Sequence, residues 1–244
     1  MGIPRLRDLY ADVVVRTGGV RTNLRRSRTM LQDYVALTKV KREVPWLADV
    51  VREIGPCRRQ LRGRYEQYTN FVSNPGNALS LKSSAFLFAL CRKLRPARVL
   101  DLGSGFTSYV TRTYKSESSS PVSIVSVDDS QEWLERTGDY LDRVGLSTEG
   151  LINLSDFEKS GLGAFDVTLY DLGSMETRLR WLPHALSCVQ PDSGIAIIDD
   201  CHFDDFLAEA ESQVRNLGGR THDISRLTRD QFDRVSFLVT NIPR

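Results

Sequence analysis

Apolar positions change their spacing several times along the 244 residues. Over residues 5–15, 22–42 and 46–69 they recur at helical intervals. Leu31, Tyr34, Val35, Leu37 and Val40 mark one such stripe, and Gly18-Gly19 and Pro45 supply the breaks. After the turn-forming Ser73-Asn74-Pro75-Gly76-Asn77, residues 83–93 read as a buried helix through Ala85, Phe86, Leu87, Phe88 and Leu90. Short β-branched runs then predict strands at 98–102, 122–127, 150–154, 166–170, 194–199, about 220–224, and 234–240. Helical stretches separate most of them, as βαβ units require. The last two lack an intervening helix, so this pair is expected to be antiparallel, at a sheet edge. The pattern predicts an α/β protein: a helical N-terminal extension over residues 1–79, then a body over 80–244.

Composition fits one substantial core, with 41% hydrophobic and 26% charged residues. No apolar run reaches membrane-spanning length, and no charged-then-apolar leader opens the chain. Met1-Gly2 is not followed by the hydroxyl residue that myristoylation needs, because position 6 is Leu. Cys57, Cys91, Cys188 and Cys201 form no CxxC pair, so reduced thiols and a cytoplasmic location are expected. Charge is uneven: residues 1–64 hold 15 Lys or Arg against 6 Asp or Glu, and the remainder 18 against 25. Arg21, Arg25, Arg26 and Arg28 are the densest basic cluster. Such an arm either grips an acidic partner such as nucleic acid or forms the solvated face of helices that pack on the body or pair with a second copy. The apolar stripe and the lack of aromatic-basic interleaving favour packing or a homodimer.

The densest chemistry lies at residues 99–105, Val-Leu-Asp-Leu-Gly-Ser-Gly. A buried strand runs into a carboxylate, then a glycine turn that lets a ligand approach the backbone, and then a helix whose first amides point at the ligand. Asp101 would repel a dinucleotide pyrophosphate but suits a ligand carrying ammonium and sulfonium charges. The turn also lacks the third glycine of a dinucleotide fingerprint. The next strand ends at Asp128-Asp129, where an acid can accept both hydroxyls of a ribose. The competing reading is that these acids merely cap the helix beginning near Gln131.

In these residues the chain resembles motifs I and II of the class I S-adenosylmethionine-dependent methyltransferases, over roughly residues 80–244. The resemblance implies a Rossmann-like seven-stranded sheet with its last strand antiparallel. It implies that Asp101, Gly103, Ser104 and Gly105 line the methionine end of the cofactor and that Asp128, beside Asp129, holds the ribose. Asp156 would meet the adenine amine, while Phe157 or Trp133 packs on the ring. Ser80 lies where related enzymes touch cofactor or substrate.

Strand four ends at Asp171 and strand five at Asp199-Asp200. Converging carboxylates need a cation, a proton or an arginine between them. The arrangement resembles the catechol-type O-methyltransferases, which implies Asp171, Asp199 and Asp200 as ligands of Mg²⁺, with Asp171 at the chemistry and beside the cofactor. That family's lysine, three residues beyond the strand-four acid, is here Ser174, which leaves His202 as the candidate base. Arg178 and Arg180 are near enough in sequence to pair with the acids, and the acids can instead cap helices. His184 and His222 read as structural, and Tyr65, Tyr68 and Phe71 as a helix packing face rather than a lid. The expected activity is methyl transfer to a small molecule, with O-methylation leading. A nucleic-acid methyltransferase and a non-catalytic binding module are the alternatives. Leu172-Gly173-Ser174 lacks the Pro-Pro-aromatic pattern used on base amino groups.

Overall fold

The computed structural model describes residues 20–243, with side chains from residue 32 onward, so the segment read as helix over 5–15 lies outside the described residues. Helices α1 (Val20–Glu43), α2 (Leu47–Phe71) and α3 (Leu81–Leu94) lead into β1 (Arg98–Leu102). Then come α4 (Phe106–Glu117), β2 (Ser123–Asp128), α5 (Gln131–Arg143), β3 (Leu151–Asn153) and α6 (Leu154–Lys159). The chain continues through β4 (Val167–Tyr170), α7 (Met175–Ser187), β5 (Ile195–Ile198) and α8 (Asp204–Asn216). It closes with β6 (Arg220–Asp223), α9 (Ser225–Thr228) and β7 (Phe237–Thr240). The seven strands lie in the order β3-β2-β1-β4-β5-β7-β6. Neighbours from β3 to β5 are parallel, and β7 runs antiparallel to both β5 and β6.

The strand expected over 150–154 is shorter than its apolar run. Asn153 turns its side-chain oxygen onto the amide of Ser155 and starts α6 at Leu154. The final pair is antiparallel and lies at a sheet edge, as expected, with β7 inserted between β5 and β6 so that β6 is the outermost strand. One helical turn, α9, also separates the two.

Strand side chains alternate between two cores, one on each face of the sheet. Val99, Ile124, Val167, Leu169, Ile195 and Leu238 face α1–α4. Leu100, Leu102, Val125, Val127, Tyr170 and Ile198 face α6–α8. Each fully buried Val or Leu contributes about 1.5–3 kcal/mol. The N-terminal helices share this core, because Leu37, Val40 and Val44 of α1 and its turn and Leu47, Leu61 and Tyr68 of α2 belong to the same buried cluster as Phe86. Polar latches also bind α1 to the C-terminal strands. Arg229 forks onto Asp33 at 2.9 and 3.0 Å, and His222 sits between Glu43 (3.1 Å) and Thr240 (2.9 Å). Among the described residues no helix is long and apolar enough to cross a membrane, and all four cysteines are free and buried.

Candidate active site

Parallel strands leave the ends of β1, β2, β4 and β5 on one rim of the sheet, with the helix N-termini above them. A cavity of about 460 Å³ opens there. Its wall includes the 103–107 turn, Asp128, Asp129, Trp133, Asp171, Arg178 and Asp200, together with the 76–79 loop. Gly103 adopts φ +107°, and a Cβ there would come 2.2 Å from the Asp171 carbonyl oxygen, so the turn has room only for glycine. The Trp133 indole N–H donates to the Ser104 carbonyl at 2.7 Å and holds the turn from the outer side.

Asp128 accepts from the Ser104 amide (2.8 Å), the Ser104 hydroxyl (3.1 Å) and the Ser130 amide (3.0 Å). Burial outweighs these bonds and lifts its carboxyl to about 6. The cap of α5 is Ser130, which accepts from the Trp133 amide, so the capping role open to Asp128 and Asp129 belongs to their neighbour. Asp129 is exposed and reaches toward the first turn of α7, where the Thr177 hydroxyl meets it at 3.4 Å.

Asp101 is fully buried beneath the turn and is not part of the cavity wall. One of its carboxylate oxygens takes hydrogen bonds from Ser108 (2.6 Å) and Ser126 (2.8 Å). The other has no partner among the described residues. Burial raises its pKa. Asp156 is exposed on α6 beside Lys159, and Phe157 is buried against His184, so neither reaches this cavity. Their neighbours Asn153, Leu154 and Ser155 instead line an adjoining hollow of about 590 Å³ with Asp129, Trp181 and His184. Ser80 caps α3, while Ala78 and Leu79 just before it line the cavity.

The carboxylates after β4 and β5 converge as read from the sequence: oxygens of Asp171, Asp199 and Asp200 lie within 4.8 Å of one another. They do not serve as caps, since α7 is capped by Ser174 and α8 starts at Phe203 with no side-chain cap. Arg178, one turn into α7, reaches back between them. Its Nη2 lies 2.5 Å from Asp171 and its Nη1 2.9 Å from Asp200, with the side chain 9% exposed. Burial opposes its charge, but Asp171 and Asp200 outweigh burial and raise its pKa. Burial, tempered by Arg178, lifts Asp171 to about 6; burial, with Asp171 and Asp200 alongside, lifts Asp199 to about 8. Asp199 also takes the Ser236 hydroxyl at 2.5 Å.

His202 stands behind Asp200, its Nδ1 3.6 Å from the carboxylate, and does not line the cavity. His184 packs edge-on against Trp181 and His222 is buried in its latch, as expected of structural histidines. Tyr65 and Tyr68 pack on Phe106, although Tyr68 also reaches the cavity wall, and Phe71 is 76% exposed. Sequence reading missed Arg234, which fixes the 75–78 loop over the cavity through the carbonyls of Gly76 (2.7 Å), Pro75 (3.0 Å) and Ala78 (3.1 Å). Nothing in its local pattern signals that reach.

This sheet order, with its antiparallel β7, is the Rossmann-like methyltransferase fold. The O-methyltransferase TomG from Streptomyces achromogenes, in complex with SAM, is similar over 79% of this chain and 90% of its own, at 13% identity and a TM-score of 0.52. The Podospora anserina methyltransferase PaMTH1, bound to SAH, is similar over 74% and 86%, at 12% identity and a TM-score of 0.54. An O-methyltransferase from Bacillus cereus, in complex with SAH, is similar over 75% and 89%, at 14% identity and a TM-score of 0.53. At such identities the likeness is one of fold. No protein-family model matches the sequence, and no curated protein does.

Proposed function

We propose that this protein is an S-adenosylmethionine-dependent methyltransferase that methylates an oxygen of a small molecule by direct in-line transfer. One observation carries the reading: the glycine turn, Asp128 and the Asp171–Asp200 cluster, far apart in sequence, line a single cavity at the strand ends. The residues fit the cofactor. Gly103 leaves the backbone bare for the methionyl chain, Asp128 is placed for the ribose hydroxyls, and the unpartnered oxygen of Asp101 lies beneath the turn. The cofactor would supply a methyl group already activated on a sulfonium; the protein's part is placement and electrostatics. Asp171 and Asp200 are the carboxylates of the cluster that face the cavity, so the proton leaving an acceptor hydroxyl passes to one of them.

The cavity wall carries four carboxylates (Asp128, Asp129, Asp171, Asp200) against the guanidinium groups of Arg178 and Arg234. That sign suits a cationic cofactor and a neutral acceptor, and it disfavours a phosphate backbone. Mg²⁺, which the catechol-type resemblance implies, would have to be held by Asp171, Asp199 and Asp200; Arg178 already lies on two of these, and no step here runs through a metal. Free buried thiols support a cytoplasmic location, and Tyr34 and Val35, exposed on α1, support self-association through the N-terminal helices. The deciding test is calorimetric titration with S-adenosylhomocysteine. Binding in the roughly micromolar range is expected, followed by turnover in a screen of hydroxylated small molecules. A protein that binds none refutes the reading and leaves a binding module on this fold.

A further inference from the structure

The structure assigns to Arg178 the place a divalent cation would take among Asp171, Asp199 and Asp200, so that this site carries a built-in guanidinium and excludes metal. The guanidinium bridges the two carboxylates that face the cavity, at 2.5 Å to Asp171 and 2.9 Å to Asp200. Magnesium needs a near-octahedral shell of oxygens at roughly 2.0–2.1 Å, and a side chain lying between two of the three acids leaves no room for one. The third acid is partly taken as well, because one oxygen of Asp199 accepts the Ser236 hydroxyl.

Arg178 is also not free to step aside. Its backbone carbonyl accepts the Tyr170 hydroxyl at 2.6 Å, and its Nε and Nη2 point at the carbonyls of Gly173 and Asp171, each at 3.4 Å. Ser174 caps the same helical turn through the Thr177 amide. Removing the arginine would leave two carboxylates facing each other across a small gap, a state that a cation relieves. The chain therefore holds a latent metal site that its own side chain fills. The assignment concerns the cavity of the proposed methyl transfer, and its test is read without turnover.

Metal-stripped full-length protein would be titrated with Mn²⁺, followed by electron paramagnetic resonance, and separately with S-adenosylhomocysteine. The wild type is expected to give no saturable Mn²⁺ binding up to about 1 mM, the weak end of carboxylate cation sites. Arg178→Ala and the closer-shaped Arg178→Gln are expected to gain a saturable site, and Arg178→Lys to gain none. Circular dichroism melts identify which variants are folded. Saturable Mn²⁺ binding by the wild type overturns the assignment, as does its absence from a folded neutral variant. S-adenosylhomocysteine binding decides the cofactor reading separately, since the Mn²⁺ titrations stand whether or not that ligand binds.

Discussion

Gly103 and Asp171 meet back to front at the centre of the site: a Cβ on residue 103 would fall 2.2 Å from the Asp171 carbonyl oxygen. This contact brings the turn after β1 against the end of β4. Asp171 in turn donates its amide to the Leu102 carbonyl at 2.7 Å, so the two strand ends are fixed together on both sides of the turn. The ligand-facing turn and the acid that faces the acceptor thus move as one unit.

Gly103→Ala tests that unit. The left-handed φ of +107° costs an alanine about 1–3 kcal/mol, and the collision with a backbone atom adds to it. The variant is expected to melt lower and to lose S-adenosylhomocysteine binding in calorimetry. Unchanged affinity would show that the turn is not the ligand's contact.

Asp128→Asn tests the ribose contact. The carboxylate already accepts three hydrogen bonds from Ser104 and Ser130, and its remaining lone pairs are what a ribose would use. Losing a charged acceptor is expected to weaken S-adenosylhomocysteine by about tenfold to a hundredfold. Adenine alone, which lacks the ribose, should bind both proteins equally.

The sheet was legible because its strands alternate sharply: Val99 and Leu100 go to opposite cores, and each strand ends in a turn residue or an acid. The acids at the ends of β1, β2, β4 and β5 were legible for the same reason, since a strand end fixes where its side chains emerge. What the pattern did not carry is direction at range. Asp156 has the sequence position of an adenine contact, but α6 starts two residues earlier and swings it outward to Lys159. Arg178 was visible as a partner for the acids, yet only the backward fold of its side chain, over a helix cap, shows that it bridges Asp171 and Asp200. Arg234 lies far along the chain from the loop it clasps, and no periodicity links such positions.

The latch between α1 and α9 predicts a coupling between the two ends of the chain. Arg229→Ala leaves the Asp33 carboxylate, 8% exposed, without its bidentate partner, and is expected to cost about 2–3 kcal/mol. Asp33→Ala with Arg229→Ala should cost less than the sum of the two single changes in urea unfolding. Additive costs would mean that the pair contributes nothing as a pair.

Tyr68 predicts a change of the opposite sign. Its side chain is buried, its hydroxyl has no hydrogen-bond partner among the described residues, and burial holds it protonated. The ring, packed on Phe106 and Tyr140, supplies the stability, and the hydroxyl carries a desolvation penalty of about 1–3 kcal/mol. Tyr68→Phe should therefore melt at the same temperature as the wild type or higher in the ligand-free protein. A clear drop would show that the hydroxyl is satisfied in solution.

Burial, with Asp171 and Asp200 alongside, raises Asp199 to about 8, above its ordinary 3.8. The folded protein thus keeps a proton that the unfolded chain gives up, and the stability this contributes is fully present below about pH 4. It drains away as pH rises and is gone once the folded carboxyl ionises near 8. Asp199→Asn keeps a neutral side chain of the same shape, and its carbonyl can still accept from Ser236. Asp128 titrates in both proteins and largely cancels in the comparison. The melting temperature of Asp199→Asn relative to wild type is expected to climb from pH 5 to about 8 and then level off, with the variant the more stable in the alkaline range. Parallel melting curves across that range would mean that Asp199 is ionised throughout, and that the cluster carries its full negative charge against Arg178.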